Sequence, residues 1–274
     1  MADMEENSIL SERKFVDSVL YQLHDRYDYP FYYARQWFLK RKNVLLFGIE
    51  GDIYGWEKVL LGKDYNVFMA LKELFDNLLK ELLVPALQSY YCSPVAQICL
   101  TKRRIKNYKR GGYVIVLFKD AIFGRDQKIE NGIEDRLSNQ LAKNIRSLTG
   151  KGPKAVKTVL LDQKTAVHII DGMISPYEQT VLVNSSTPTA IGIGVLSSQV
   201  NLNLPFASAT VEDNAKLGIS IDNALRNSLR EALILCYHNA MTQTLHIDIQ
   251  IDAVKNQMCI LVRGNNLIET IECC

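Results

Sequence analysis

Two segments of the sequence repeat one pattern, and a duplicated chain has few ways to fold. Residues 50–61, EGDIYGWEKVLL, align without a gap with residues 171–182, DGMISPYEQTVL, at an offset of 121 positions. A repeat of this length indicates one structural unit present twice. It predicts repeat 1 over residues 12–126 and repeat 2 over residues 127–274. The correspondence extends upstream, where Val16, Leu20, Tyr27 and Ala34 fall on Leu137, Leu141, Leu148 and Ala155.

The residue pattern of repeat 1 predicts a helix, a hairpin, a second helix and a closing hairpin. Apolar positions in residues 12–28 have helical spacing, and the strand-like runs that follow surround a polar turn at residues 40–43. A long core-facing helix is expected next, which Pro85 should kink or end. The segments VAQICLT and YVIVLF then form the closing hairpin. The long helix is indicated by Val67, Leu71, Leu74, Phe75, Leu78 and Leu82.

Repeat 2 predicts the same order of elements. Its helices are expected at about residues 133–148 and 213–239, and its first two strands near 155–161 and 165–171. The alternation in HIDIQID places Ile247, Ile249 and Ile251 on one face of a strand, which pairs back across a turn at Lys255 and Asn256. The predicted fold class is therefore α+β, with an antiparallel sheet covered by helices on one face, present twice.

Repeat 2 differs by an insertion at about residues 183–211. Between Gln179 and Val211 the sequence carries no charged residue. Long insertions of this kind are surface loops. Two interpretations stay open, a loosely packed loop and a segment that docks on a partner.

Composition favours a compact protein of the cytoplasm. The chain has 274 residues, 47% of them hydrophobic, and a formal net charge of +2, so no overall field selects a nucleic-acid or membrane partner. Its six cysteines include no Cys-x-x-Cys pair, which favours a reducing compartment. We find neither a signal-peptide pattern nor an apolar run long enough to span a membrane. We expect a cytoplasmic location, with attachment to the inner face of the membrane as an alternative.

The two aligned glutamates, Glu57 and Glu178, are predicted to lie in the first turn of a helix that follows a strand. In SPYE, Ser175 is suited to cap a helix, Pro176 to its first position and Glu178 to the third, which completes a capping box. The pattern favours capping over contact with a partner or acid–base chemistry. Gly51 and Gly172 fit the turn from strand to helix.

The segment GKGP, residues 150–153, has two interpretations. Gly150 suits the residue after a helix, and Pro153 blocks continuation of that helix. Lys151 could instead bind an anion, although the spacing is not that of a P-loop. The pattern favours helix termination.

A basic surface is predicted at one end of repeat 1. The residues predicted to bind a partner are Lys40, Arg41, Lys42, Lys102, Arg103, Arg104, Lys106, Lys109 and Arg110. Such a surface could meet anionic lipid, an acidic protein or nucleic acid, or could be a solvated hairpin tip.

Catalysis has little support in the sequence. His24, His168, His238 and His246 are scattered, and there is neither a metal-ligand spacing nor a nucleophile elbow. We expect no catalytic residues, no metal and no cofactor. An enzyme or small-molecule sensor with its site in a cleft between the repeats stays an alternative.

Repeat 2 resembles a known family. The order of helix, Gly-Lys-Gly-Pro, hairpin, acidic-Gly corner, x-Pro-x-Glu and long helix is similar to the soluble C-subunit family of bacterial Na+-translocating membrane-potential-generating systems. The matching residues are Gly150, Gly152, Pro153, Gly172, Pro176 and Glu178. The resemblance covers about residues 127–274 and reaches repeat 1 more weakly, where Gly51 and Glu57 match but Gly55 replaces Pro176.

The resemblance implies a cytosolic, non-enzymatic accessory or regulatory subunit of a membrane cation-transport system, with a link to inorganic-carbon supply. Its partners would be membrane-embedded transport subunits and an anionic lipid surface. The chain would be an internal pseudo-dimer, with a homodimer as a further state. A nucleic-acid-binding module that uses the basic hairpin is the alternative from another class.

Overall fold

The computed structural model describes residues 2–27, 31–52, 65–102, 109–122, 132–186, 211–237, 245–265 and 267. Within them the chain is an α+β protein with two antiparallel sheets, as the sequence predicts. The helices are α1 (Ala2–Tyr27), α2 (Tyr65–Tyr91), α3 (Ile133–Thr149), α4 (Pro176–Ser186) and α5 (Val211–Cys236). The strands are β1 (Phe31–Arg41), β2 (Val44–Asp52), β3 (Val95–Lys102), β4 (Lys109–Phe118), β5 (Ala155–Asp162), β6 (Thr165–Asp171), β7 (His246–Asp252) and β8 (Gln257–Arg263).

The two sheets have the same strand order. The first runs β1-β2-β4-β3 and the second β5-β6-β8-β7, and every neighbouring pair is antiparallel. In each sheet two hairpins therefore meet through their second strands. A duplicated unit would produce this order. The duplication itself stays a prediction, as do the repeat boundaries 12–126 and 127–274.

Helices cover one face of each sheet, because alternate strand residues and one stripe of each helix are apolar. In the first sheet, α1 and α2 bury their stripes against the faces of β2 and β4. In the second, α3 and α5 do the same against β5, β6 and β8. These cores contain, among others, Val16, Leu20, Leu23, Leu83, Phe47 and Val116 in the first, and Leu137, Leu141, Leu229, Leu233, Ile170 and Ile260 in the second.

The opposite faces of the two sheets pack against each other, which the sequence analysis did not anticipate. A third cluster of buried residues takes members from both sheets, so the described elements stack as helices, sheet, sheet and helices. The pseudo-dimer hypothesis requires such a contact. The cluster consists of Val44, Leu46, Cys99, Tyr113, Ile115 and Leu117 from the first sheet, and Val159, Leu161, Val167, Ile169, Cys259 and Leu261 from the second.

Some predicted boundaries shift. Helix α2 does not end at Pro85 but continues to Tyr91, because Leu83 and Leu87 on either side of it are buried in the core and offset the lost hydrogen bond. The insertion predicted at about 183–211 begins inside α4, which ends at Ser186. Its last residue, Val211, is the first residue of α5. Residues 187–210 lie outside the described residues.

Candidate functional site

The residues of GKGP and SPYE meet at one corner of the second sheet. Helix α3 ends at Thr149 and is followed by Gly150, whose φ of 72° is left-handed and whose N–H donates to Arg146 O at 3.0 Å. The chain then turns into β5, and Lys154 N donates to Asp171 O at 2.8 Å, where β6 ends. Thus the helix exit and the corner before α4 are adjacent. We call this region, residues 150–154 and 171–178 with the facing turn 253–256, the GKGP–SPYE corner.

Glu178 and Ser175 form the capping box that the sequence predicts. The Glu178 carboxylate accepts from Ser175 N at 2.8 Å and from Ser175 Oγ at 2.7 Å, and Glu178 N donates to Ser175 Oγ at 3.3 Å. Pro176 is the first residue of α4, where its missing N–H has no helical partner in any case. The local sequence alone therefore starts this helix.

Lys151 joins the two motifs. Its Nζ donates to Glu178 Oε2, so the anion that this lysine contacts is the glutamate of the capping box. Partial burial raises the pKa of Glu178, but the hydrogen bonds from Lys151 and Ser175 outweigh it and hold the pKa below its ordinary value. The carboxylate therefore stays ionised and structural at neutral pH.

Gly172 is required by the corner's backbone. Its φ is 68°, and a Cβ added there would lie 2.5 Å from side-chain atoms of Lys154. The sequence prediction that this glycine serves a strand-to-helix turn agrees with both observations. Gly152 and Pro153 lie in the same short loop, between α3 and β5.

Asn256, which sequence reasoning treated as an ordinary turn residue, clamps the corner. Its Oδ1 accepts from Ile174 N at 2.8 Å, its Nδ2 donates to Ile174 O at 2.7 Å, and its backbone O accepts from Gly172 N at 2.9 Å. Asn256 also has a positive φ of 50°. An asparagine at a hairpin turn was the available signal, because asparagine tolerates this conformation.

The outer surface of the corner carries two exposed apolar side chains. Tyr177 is 60% exposed and Val254 is 73% exposed. Gln179 Nε2 donates to Val254 O at 2.9 Å, which ties the start of α4 to the turn after β7. The corner is therefore a hydrogen-bonded structure that presents two apolar side chains at its surface.

The first hairpin's basic residues contact acids within the chain. Arg41 Nη1 lies 2.5 Å from Glu134 Oε1 and donates to Leu160 O at 2.7 Å, and Lys42 Nζ lies 2.5 Å from Glu134 Oε2. The Arg41 side chain is 6% exposed. Lys40 pairs with Glu12 at 2.7 Å. These pairs give the three residues an intramolecular role, and contact with an external partner stays a prediction.

The other basic residues of the predicted surface cannot be placed in the same way. Lys102 ends β3, and Lys109 and Arg110 begin β4, but their side chains are outside the described part of the structure. Arg103, Arg104 and Lys106 lie outside the described residues, as does Glu57. Gly51 is buried in β2, opposite Arg110 in the sheet register.

A buried polar chain crosses the core of the second half. His168 Nδ1 is hydrogen-bonded to Thr158 Oγ1 at 2.9 Å, and Nε2 to Tyr237 OH at 2.9 Å. Ser138 Oγ lies 3.0 Å from Thr158 Oγ1. Burial lowers the pKa of His168 to about 3, so the imidazole is neutral. His168 is fully buried, and both of its ring nitrogens have hydrogen-bond partners within the core.

Among the described residues, no helix is both long and apolar enough to cross a membrane. Within the same part of the chain, His, Cys, Asp and Glu side chains do not gather in groups of three or more that could hold a metal ion.

The fold and the corner define a class, an α+β protein of two stacked antiparallel sheets with a rigid helix-starting corner. Residues 130–190 match the family model described as "Na+-translocating membrane potential-generating system (MpsC)". The match confirms the resemblance to this family for the segment that holds α3, β5, β6 and most of the corner. The family's name associates it with Na+-translocating membrane-potential systems. No curated protein and no solved structure matches the chain.

Proposed function

We propose that this protein is a non-enzymatic accessory or regulatory subunit of a membrane system that generates a membrane potential by cation transport. The observation that carries the proposal is the family match over residues 130–190. The finer parts, namely the accessory role, the cytoplasmic location and the docking surfaces, are our inference.

The structure of the matched segment supports a binding role over a catalytic one. At the corner, the charges of Lys151 and Glu178 are paired with each other. The histidine of the segment is buried and hydrogen-bonded at both ring nitrogens. A rigid corner with exposed Tyr177 and Val254 is suited to hold a shape for a partner.

Docking on the membrane-embedded partner would use the basic end of the first half, the uncharged 179–211 segment, or both. The hairpin cations Lys40, Arg41 and Lys42 are paired with acids of the chain. The free charge of this end would therefore come from the 102–110 stretch, where five further cations stand near Lys102 without an acid.

A charge-reversal experiment tests the docking surface. Arg103, Arg104, Lys109 and Arg110 are changed together to glutamate, and the protein is co-purified from native membranes with its associated polypeptides. We expect association to fall sharply, because each reversal replaces attraction by repulsion.

A matched control changes four exposed cations elsewhere, Lys119, Arg136, Lys143 and Arg230, to glutamate. The control alters the net charge equally and should keep its association. Equal association of both variants with membranes would remove the basic end from the proposal. Steeply salt-dependent binding to nucleic acid, lost in the first variant, would favour the alternative function instead.

A further inference from the structure

A cavity of about 570 Å³ lies at the seam between the two halves. From the first half it is lined by Leu39 of β1. From the second it is lined by Asp162, Lys164 and Thr165 at the β5–β6 turn, and by His246 and Arg263 where β7 begins and β8 ends.

The two hairpin tips differ in how far their last side chain reaches toward the other half. Arg41 pairs with Val44 at the tip of the first hairpin, and Asp162 pairs with Thr165 at the tip of the second. Arg41 is long enough to reach Leu160 O on β5. The short Asp162 side chain turns back instead and accepts from Lys164 N at 2.8 Å. The second hairpin therefore does not fill the seam on its side.

The cavity lining carries more positive than negative charge. Lys164 and Arg263 are basic side chains, whereas Asp162 is the single carboxylate among the lining residues. One oxygen of Asp162 already accepts a backbone N–H. His246 stands opposite Arg263 in the β7–β8 register. An excess of cations at a partly enclosed surface attracts anions.

Arg263 is held in place by the other half of the chain. Its guanidinium contacts the hydroxyl of Tyr113 and lies 5.0 Å from the centre of that ring. Tyr113 belongs to β4 of the first sheet. A guanidinium fixed in this way is suited to a carboxylate or phosphate, whose planar or tetrahedral oxygens it recognises by paired hydrogen bonds.

We propose that this cavity binds a small organic oxyanion, a carboxylate or phosphate compound, through Arg263 and Lys164, with the apolar part of the ligand against Leu39. The volume lies in the range of small-molecule sites, about 300–1,000 Å³. The proposal goes beyond the accessory role, because it gives the seam between the halves a ligand. Since both halves position the site, occupancy would also stabilise their packing.

The test uses the full chain and four probes. Succinate and glycerol phosphate represent the two oxyanion classes, and succinamide and glycerol are their uncharged counterparts. Calorimetry and thermal unfolding are measured with each. We expect saturable binding of at least one anion and of neither neutral compound, together with a rise in melting temperature. The anion that binds decides between carboxylate and phosphate.

Variants locate the binding. Lys164 is exposed, so Lys164→Glu should leave the fold intact. It should lower the affinity for the anion at least about tenfold. Lys119→Glu is the control, because this lysine is exposed and is not among the cavity residues. Equal binding by both variants would overturn the proposal. It would also be overturned if neither anion bound up to about 10 mM, a weak affinity for a functional site.

Discussion

The ion cluster between the two halves gives the sharpest prediction of stability. The Glu134 side chain, 10% exposed, accepts from Arg41 Nη1 and Lys42 Nζ at 2.5 Å each and from Leu160 N at 2.8 Å. Arg41 donates to the carbonyl of the same Leu160. Strand β5 is an edge of its sheet, so the pair covers backbone groups that would otherwise be unpaired.

Glu134→Gln removes the charge but keeps the shape. The Arg41 guanidinium then stays buried without its counter-ion, and breaking a buried pair in this way costs about 3–5 kcal/mol. Asp222→Asn is the control, because Asp222 and Arg226 form a pair at 2.6 Å whose side chains are 34% and 31% exposed. A pair this exposed contributes about 0–1 kcal/mol.

Urea unfolding measures both variants. The two tryptophans, Trp37 and Trp56, lie in the first half, so their fluorescence follows that half, whereas far-UV circular dichroism follows the whole chain. We expect Glu134→Gln to lower the free energy of unfolding by about 3 kcal/mol. A loss no larger than that of the control would show that the cluster does not hold the halves together, and would refute the reasoning.

A double-mutant cycle separates the interaction energy of Arg41 with Glu134 from the cost of burying each charge alone. Arg41→Met removes the guanidinium and leaves Glu134 with Lys42. Arg41→Met with Glu134→Gln leaves no buried unpaired ion at this position, so the double variant should be less destabilised than the sum of the single variants by about 2–3 kcal/mol. Additive losses would mean that the two side chains act independently.

The capping box, the buried histidine and the corner glycine each give a further expectation, measured by urea unfolding. Glu178→Ala should cost about 1–2 kcal/mol, because it removes the carboxylate that accepts hydrogen bonds from Ser175 and Lys151. Because the pKa of Glu178 is lowered in the folded protein, that contribution is complete above about pH 4.3 and is lost as the pH falls through the folded pKa. The pKa of His168 is about 3 in the folded protein, whereas its ordinary value is about 6.5. As the pH falls below about 6.5, the free energy of unfolding should therefore decrease by about 1.4 kcal/mol per pH unit. His168→Phe should abolish that slope; an unchanged slope would assign it to other groups. Gly172→Ala should cost about 1–2 kcal/mol, because an alanine at a φ of 68° is strained. An unchanged free energy of unfolding would contradict this explanation.

Local elements could be predicted because their causes are local. The predicted helix at about residues 133–148 is α3, Ile133–Thr149, since its apolar spacing and terminal glycine lie within the segment itself. The capping box of Ser175 and Glu178 was predictable for the same reason.

Long-range contacts could not be predicted in this way. Glu134 looks in the sequence like an ordinary acid in the first turn of a helix, and the sequence gives no sign that Arg41, 93 positions away, is its partner. The packing of sheet on sheet did leave a signal. Residues 44–47 and 113–118 are continuous apolar runs, not alternating ones, and such runs indicate strands buried on both faces.

The two sheets differ at one pair of facing core residues, and the difference affects the corner. In the first sheet the pair opposite each other in β1 and β2 is Phe38 and Phe47, stacked at 5.2 Å. In the second sheet His168, which lies 121 positions after Phe47, is opposite Thr158. An aromatic stack needs no polar partner, whereas a buried histidine must satisfy both ring nitrogens.

The polar pair therefore fixes more of its surroundings than the aromatic pair does. Through Thr158 it reaches Ser138 on α3, and directly it reaches Tyr237 at the end of α5. Asn144 of α3 also donates to Ala232 O of α5 at 3.1 Å. Because α3 is one continuous helix, these contacts near its start and middle set the place of its end, where Gly150 begins the GKGP–SPYE corner. The segment that matches the family model, residues 130–190, thus contains both Thr158 and His168, and the geometry of the corner depends on the core that they join.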